Sequence, residues 1–371
     1  MSCFKSDLIE KMLDKWFYRS YSGNVAGNVT SFRGEAKSMS TIRDIARKAQ
    51  ISVSTVSRVL NNKPDVKSAT RERINKAISE LNFRPSNAAR GLVLKKSHVI
   101  GFIVPDITNP SFPCLARGII MRARSFGYSV MFYDTDHDSY VEKEAINLMQ
   151  GNQVDGIILS FDEANRDELE KLKKKQFPVV QIYRKSSRST ISTIALDNVG
   201  AGEMAARYLI EKGHRRIGLI TTGKHAQSGY ERQKGYSKAL QEFGIPFDEN
   251  LICIGENNPD SGRECMSGFL EMENPPTAVF ASHDMMAVGA YDAVYEKGLS
   301  IPEDVSIIGH DNLVISHYLR PKLTTIDTFK SKLGKEAVDL LIEEIQASEP
   351  LNKEVVFQAE LIERDSVRKL G

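Results

Sequence analysis

Residues Ser40 to Asn62 read STIRDIARKAQISVSTVSRVLNN, and their spacing sets the architecture of this end of the chain. Ile42, Ile45, Ala46 and Ala49 recur at i, i+3, i+4 and i+7, the apolar stripe of a short amphipathic helix. Thr41 and Asp44 stand in capping-box-like positions at its start. Ser52 is placed to N-cap a second helix whose apolar side is Val56, Val59 and Leu60. Two short helices across a tight turn form a helix-turn-helix, the arrangement that lays its second helix in the DNA major groove. Gln50 occupies a turn position where glycine is easiest, because the backbone there needs φ > 0. A third helix is expected after Ser68, which is placed to cap it, with Ile74, Ala77, Ile78 and Leu81 as its buried stripe. Three helices of this size enclose a small core, marginal in stability alone.

Working outward, Pro85 to Leu92 read PSNAARGL. The expectation is a short helix from Ser86 to Val93 that exposes an apolar wedge, Leu92, amid polar and basic neighbours. Such wedges enter the minor groove and partly unstack a base step. Charge supports a polyanion partner at this end only. Residues 40–98 hold 13 Lys/Arg against four Asp/Glu, in a chain whose totals are 50 and 48. Everything after residue 98 is acidic on balance.

A length of 371 residues allows two or three domains, and 41% hydrophobic with 26% charged residues is ordinary for a globular protein. No apolar run approaches the roughly 20 residues needed to span a bilayer, and no signal peptide is evident at the N-terminus. A cytoplasmic protein without a membrane role is expected. Cys3, Cys114, Cys253 and Cys265 show no metal spacing and read as four reduced thiols. Residues 1–38 offer one amphipathic stretch (Leu8, Met12, Leu13, Trp16, Phe17) and then a Gly/Asn/Ser-rich run, expected to be disordered. The expectation is that either Met39, directly before the helical block, is the true start, or residues 1–38 form a dispensable tail.

From Val99 strands and helices alternate. Apolar runs fall at Ile100–Val104, Ser129–Tyr133, Gly156–Leu159, Val179–Ile182, Thr193–Leu196, Arg216–Ile220, Leu251–Ile254, Ala278–Ala281, Val305–Ile308 and Leu323–Ile326. Near-continuous Val/Ile/Leu runs between helices predict an α/β fold of parallel sheets covered on both faces. The number of units exceeds one open sheet, which predicts two doubly wound lobes with a ligand cleft at the carboxyl ends of their strands.

These residues resemble the lactose-repressor (LacI/GalR) family of bacterial transcription regulators. The likeness runs from Met39 to about Val367. It is carried by the helix-turn-helix block and PSNAARGL, then GFIVPDITNPSF, the Arg232-x-x-Gly235 step, SHDMMAVGA, VSIIGHDN, LTTI and LIERDSV, in that order. The resemblance implies a helix-turn-helix head over 39–84, a hinge helix and linker over 85–98, and a periplasmic-binding-protein-like body over 99–367. One lobe would comprise about 99–197 plus 328–352. The other would comprise about 198–327 plus 353–367, including a C-terminal strand near Val356–Glu363. It further implies a homodimer on a pseudo-palindromic operator in double-stranded DNA, with repression governed by a small-molecule effector, and no enzymatic activity.

Residue by residue, the resemblance places Val53 and Ser54 as the specificity pair at the start of the recognition helix. Arg58, one turn on, suits a bidentate contact to guanine. Thr55 and Ser57 suit phosphate contacts, and Ala89 and Leu92 belong to the hinge contact in the minor groove. Val93 stands where some members have a lysine. For the effector, the matching positions are Phe112, Asp197, Arg232, His283 and Asp311. Carboxylates accept from vicinal hydroxyls, a guanidinium donates to two oxygens, and an aromatic ring covers an apolar sugar face, so a sugar or sugar derivative is expected. Asp106, Asn109 and Asp134 are second-rank candidates. Ser111 and Asn257 stand where some members carry aromatic rings. Asp197 and Asp311 also fit helix N-caps, and Arg232 a structural ion pair.

Other chemistry is weaker. Gly200-Ala201-Gly202-Glu203-Met204-Ala205 mimics a dinucleotide fingerprint, but the next strand ends Ile220-Thr221-Thr222 without the required acid. His283-Asp284 and His310-Asp311 lack a metal-site pattern, so no metal or cofactor is expected. Lys171 to Lys175 read as a solvated helix end. The main competitor is a stand-alone small-solute (sugar) binding protein, which the missing export signal and the basic head oppose.

Overall fold

The computed structural model describes residues 40–60, 63–83, 96–160, 166–183, 191–223 and 226–370. Residues 1–39 and most of the expected hinge segment, Ala89 and Leu92 included, lie outside them. The chain forms two compact units that divide between Ser86 and Asn87.

The first unit holds α1 (Ile42–Ala49), α2 (Val53–Leu60) and α3 (Ser68–Glu80). Thr41 and Asp44 form a complete capping box at α1, and Gln50 ends that helix in the left-handed region at φ 52°. Ile45, Ala46, Ala49, Val56, Val59, Ile74 and Ala77 make the core. The expected cap at Ser68 is corrected. Ser68 is already helical, and Lys67 takes the cap position with no side-chain hydrogen bond.

In the second unit the elements run β1 (Val99–Val104), α4 (Ser111–Ser125), β2 (Ser129–Asp134), α5 (Ser139–Gly151), β3 (Gly156–Ser160), α6 (Arg166–Lys174), β4 (Val179–Ile182), β5 (Ser192–Leu196) and α7 (Asn198–Glu211). They continue β6 (Ile217–Thr222), α8 (Gln227–Glu242), β7 (Ile252–Gly255), α9 (Pro259–Leu270), β8 (Ala278–Ala281), α10 (Asp284–Glu296), β9 (Ser306–His310) and α11 (Val314–Tyr318). Last come β10 (Thr324–Asp327), α12 (Lys330–Gln346), β11 (Glu354–Phe357) and β12 (Glu360–Ile362).

Two six-stranded sheets result, ordered β11-β5-β4-β3-β1-β2 and β12-β10-β9-β8-β6-β7. All pairings are parallel except β10 with β12. In each sheet the chain winds outward both ways from its first strand, which opens a crevice at the carboxyl ends. The chain passes between lobes after β5, after β10 and after β11. α12 returns to the first lobe, burying Leu333, Ala337, Val338 and Leu341 against its core.

Two expectations are corrected in this unit. The single C-terminal strand is two: β11 extends the first sheet beside β5, and only β12 joins the second beside β10. Cys253 and Cys265 are not both free thiols but form a disulfide, because α9 packs on edge strand β7 and brings their Cα atoms to 5.6 Å. Cys114 is free.

Candidate functional site

On the first unit, α2 buries Val56 and Val59 and turns its other side outward. Val53 is 42% exposed, Ser54 and Arg58 are exposed, and Thr55 and Ser57 are half-buried. Ser52 caps the helix, accepting from the Thr55 backbone at 3.2 Å, and its hydroxyl also meets those of Ser54 (2.9 Å) and Thr55 (2.8 Å). An apolar tip, small hydroxyls and a guanidinium on one helical face suit base-edge and phosphate contacts. Arg58 is held by an ion pair with Asp65. Both groups are largely exposed, so exchanging the carboxylate for a base or phosphate costs little. Arg71 and Arg73 each donate to a backbone carbonyl, of Lys63 and Ala49, both at 2.7 Å.

In the second unit a cavity of about 200 Å³ opens between the two sheets. Every stretch lining it follows the carboxyl end of a strand. Asn109, Ser111 and Phe112 come after β1, His137 after β2, Ser160 from β3, Tyr183 after β4, and Leu196 and Asn198 at the β5 crossover. From the other lobe come Gln227 and Arg232 after β6, His283 after β8 and Asp311 after β9, with Thr328 and Lys330 at the β10 crossover.

The first-lobe wall carries two aromatic rings among smaller polar groups. Phe112 and Tyr183 meet edge to face with ring centroids 6.1 Å apart. Burial, then the nearby Asp311 charge, pushes the Tyr183 phenol up, so it stays a neutral donor.

The opposite wall is a buried polar network. Arg232 is 3% exposed. Its Nε and Nη2 donate to Asn198 Oδ1 at 3.2 and 3.1 Å, and its Nη1 to the Ser282 carbonyl at 2.6 Å. Nη1 also lies 3.2 and 3.3 Å from His283 Nδ1 and Nε2, while His283 Nδ1 lies 3.1 Å from Asp311 Oδ2. Burial and then Arg232 lower the His283 pKa, which keeps the ring neutral. Neutral imidazole with Nδ1–H donating to Asp311 leaves Nε2 to accept from Arg232. Burial of Asp311 opposes its ionisation, yet Lys330 and then His283 and His310 hold its carboxyl well below the usual range. Lys330 Nζ lies 3.1 Å from Asp311 Oδ1 and donates to the Asp311 carbonyl at 2.7 Å and to Thr328 Oγ1 at 2.8 Å. Asp311 has φ 124°, a conformation costing about 1–3 kcal/mol that the surrounding bonds must hold.

Local sequence explains the placement of Arg232. A Cβ on Gly202 would lie 2.1 Å from the Arg232 carbonyl, and one on Gly235 2.0 Å from that of Val199. Only glycines let α7 and α8 approach closely enough for Arg232 to reach Asn198. The apparent dinucleotide fingerprint is thus a helix-packing motif, with Gly200 close to Asp197 for a different reason: Asp197 Oδ1 accepts from the Gly200 backbone at 2.8 Å.

Four of the five expected effector residues, Phe112, Arg232, His283 and Asp311, line this cavity together. Asp197 does not. It N-caps α7, and its neighbour Asn198 faces the cavity instead. Among the second-rank candidates Asn109 lines the cavity, whereas Asp106 and Asp134 accept from the backbones of Thr108 and Ile107. Ser111 lines it as well, but Asn257 does not. Sequence reasoning missed Tyr183, Asn198 and Lys330. Among the described residues, no group of three or more His, Cys, Asp or Glu is arranged to hold a metal ion, and no helix is long and apolar enough to cross a membrane.

Known proteins share both halves of this arrangement. Residues 41–86 match the profile of bacterial regulatory proteins of the lacI family, and residues 206–367 that of the periplasmic binding protein-like domain. Catabolite control protein A of Priestia megaterium is 37% identical over 317 residues, 85% of this chain and 94% of that protein. The chain belongs to the lacI family. It is therefore a DNA-binding transcriptional regulator. Within the family, the lac repressor dimer bound to operator and the anti-inducer ONPF is 26% identical with a TM-score of 0.81, covering 89% of this chain and 99% of that one. A LacI family regulator from Enterococcus faecium, with bound ribose, is 30% identical with a TM-score of 0.67, covering 74% and 100%.

Proposed function

We propose that this regulator is a cytoplasmic, homodimeric repressor whose affinity for a pseudo-palindromic operator changes when a small effector, a sugar or sugar derivative, fills the cleft between the lobes. The observation that carries this reading is the cavity itself. It draws residues from the strand ends of both sheets and from two of the three crossovers, where a hinge motion would be felt most. The ribose held by the Enterococcus faecium relative and the operator held by the lac repressor dimer support the two ligand classes. Phe112 covers one face of the ligand, while Arg232, His283 and Asp311 fix its polar groups. Val53, Ser54 and Arg58 read bases, with Thr55 and Ser57 on phosphates. Ala89 and Leu92 act in the minor groove when two hinge segments pair. The coupling required is only about 1–3 kcal/mol.

A gel shift with the operator and a scrambled duplex, at several salt concentrations and with a sugar panel, tests the reading. Specific binding that changes with one sugar supports it. Sugar binding without specific DNA binding returns the stand-alone solute-binding alternative. Leu92→Ala is expected to weaken specific binding by about 10-fold or more and remove the DNA kink; unchanged affinity and bend angle would show that Leu92 is not the wedge.

A further inference from the structure

The groups lining the cleft do not balance. Among the described residues its permanently charged members are two cations, Arg232 and Lys330, and one carboxylate, Asp311. That carboxylate already serves Lys330, His283 and His310. Arg232 is left with neutral partners: Asn198 Oδ1, the Ser282 carbonyl and the His283 ring. No acid lies within ion-pair distance of it among the described residues. Glu231, beside it on α8, is engaged by Asn198 Nδ2 at 3.1 Å and Gln227 Nε2 at 2.8 Å. Asp284, behind the cavity, accepts instead from the Leu313 backbone, Ser316 and Thr325. A guanidinium buried to this depth without a carboxylate is costly unless something else supplies the negative charge.

The hydrogen-bond inventory leans the same way. A guanidinium has five N–H donors, and the contacts above occupy four of them, leaving one on Nη2. Tyr183 lines the same cavity, and its hydroxyl is buried without a partner among the described residues. The acceptors next to Arg232 and Lys330 are engaged: Asn198 Oδ1 takes two bonds from Arg232, and Asp311 takes those of its three neighbours. A neutral sugar brings hydroxyls that need acceptors as well as donors. The corner formed by Arg232, Lys330 and Tyr183 offers donors in excess, which an acceptor-only group satisfies.

We propose that the effector carries an anionic group, a carboxylate or a phosphate, which docks between Arg232, Lys330 and the Tyr183 hydroxyl while the rest of the molecule lies against Phe112. The inference rests on the cleft being the effector site and narrows the ligand to acidic sugar derivatives. Lys330 then trades part of its contact with Asp311 for the ligand. Because Lys330 follows a crossover between the lobes, that exchange is placed where ligand charge can bias closure.

The test uses the full chain and two minimal probes, inorganic phosphate and glycolate, each compared with chloride at equal ionic strength by thermal shift and calorimetry. At least one anion is expected to raise the melting temperature by several degrees. Lys330→Arg is expected to keep that response, and Lys330→Gln and Tyr183→Phe to reduce it at least several-fold; phosphate against glycolate tells which anion the site takes. A response no larger than that of chloride overturns the proposal. So does one that survives both Lys330→Gln and Arg232→Gln, which would place the anion on the basic head. Glucose and ribose are run alongside. If either binds and is lost in Phe112→Ala while the anions fail, the cleft stands as effector site and only its anionic preference falls.

Discussion

The two walls of the cleft are built from different chemistry although the same topology makes both. The first lobe presents Phe112, Tyr183 and Leu196, rings and aliphatic carbon, together with the polar groups of Asn109, Ser111, His137 and Ser160. The second presents Arg232, His283 and Asp311, charged or polar groups almost wholly removed from water. An aromatic wall selects by shape and tolerates small displacements. A buried polar wall selects by matching donors to acceptors, and an unpaired group there costs about 1–3 kcal/mol. On the proposed function, the second lobe would set which ligand is accepted, and the first how tightly it is covered.

The largest expected effect comes from breaking the polar wall at its shared acceptor. Asp311→Ala leaves Lys330 buried without its carboxylate, and urea unfolding should show a loss of about 3–5 kcal/mol. Phe112→Leu, on the other wall, should cost less than about 1.5 kcal/mol in the same measurement. Equal losses would erase the distinction between the walls. Next in size, Arg232→Lys removes the fork but keeps the charge, and effector affinity by calorimetry should fall about 10- to 100-fold. Operator binding without ligand should be unchanged.

A pH series sharpens the comparison further. Burial and then Arg232 push the His310 pKa down to about 3. The unfolded chain takes up that proton near the ordinary value and the native protein does not, so this stability is full above about pH 6.5 and lost as pH falls. About 2 kcal/mol should disappear between about pH 6.5 and pH 5. Asp284 works oppositely. Burial and then Asp311 raise its pKa to about 6, so the native protein gains relative stability as pH falls from about 6 towards 4. His310→Gln should therefore flatten or reverse the acid slope of stability, and an unaltered slope would count against a neutral buried His310. Asp197→Ala is the smallest effect, about 1 kcal/mol of stability from a lost N-cap. Effector affinity in that variant should stay within about twofold of wild type, because the missing carboxylate caps a helix and does not line the cavity.

Much of this was legible in the sequence, and the exceptions have physical causes. The ten apolar runs became ten strands because buried parallel strands leave an unmistakable continuous pattern. The eleventh and twelfth did not separate, since the resemblance placed one strand near Val356–Glu363 and only the lobe crossing between Phe357 and Glu360 divides it. Arg232 was placed by the resemblance through its Arg232-x-x-Gly235 step, and the structure shows why the glycine is there: α7 and α8 cross closely at it. Lys330 was not, because within KSKLGKE it has the look of a solvated helix face, and only the β10 crossover turns it inward. Asp197 and Asn198 show the limit of reading strand ends: the pattern locates the turn, but the helix geometry decides that the aspartate caps and the asparagine faces the cavity. The Cys253–Cys265 pair was hidden for a related reason, since nothing in a spacing of 12 residues says that a strand and its covering helix will meet there.

Control of the DNA-reading head by cleft chemistry is tested most directly by operator affinity, measured by fluorescence anisotropy with the cleft empty and saturated. The expected change is about 5- to 150-fold, abolished in Arg232→Lys under the same ligand concentration. Superimposable operator curves with the cleft shown by calorimetry to be filled would contradict it.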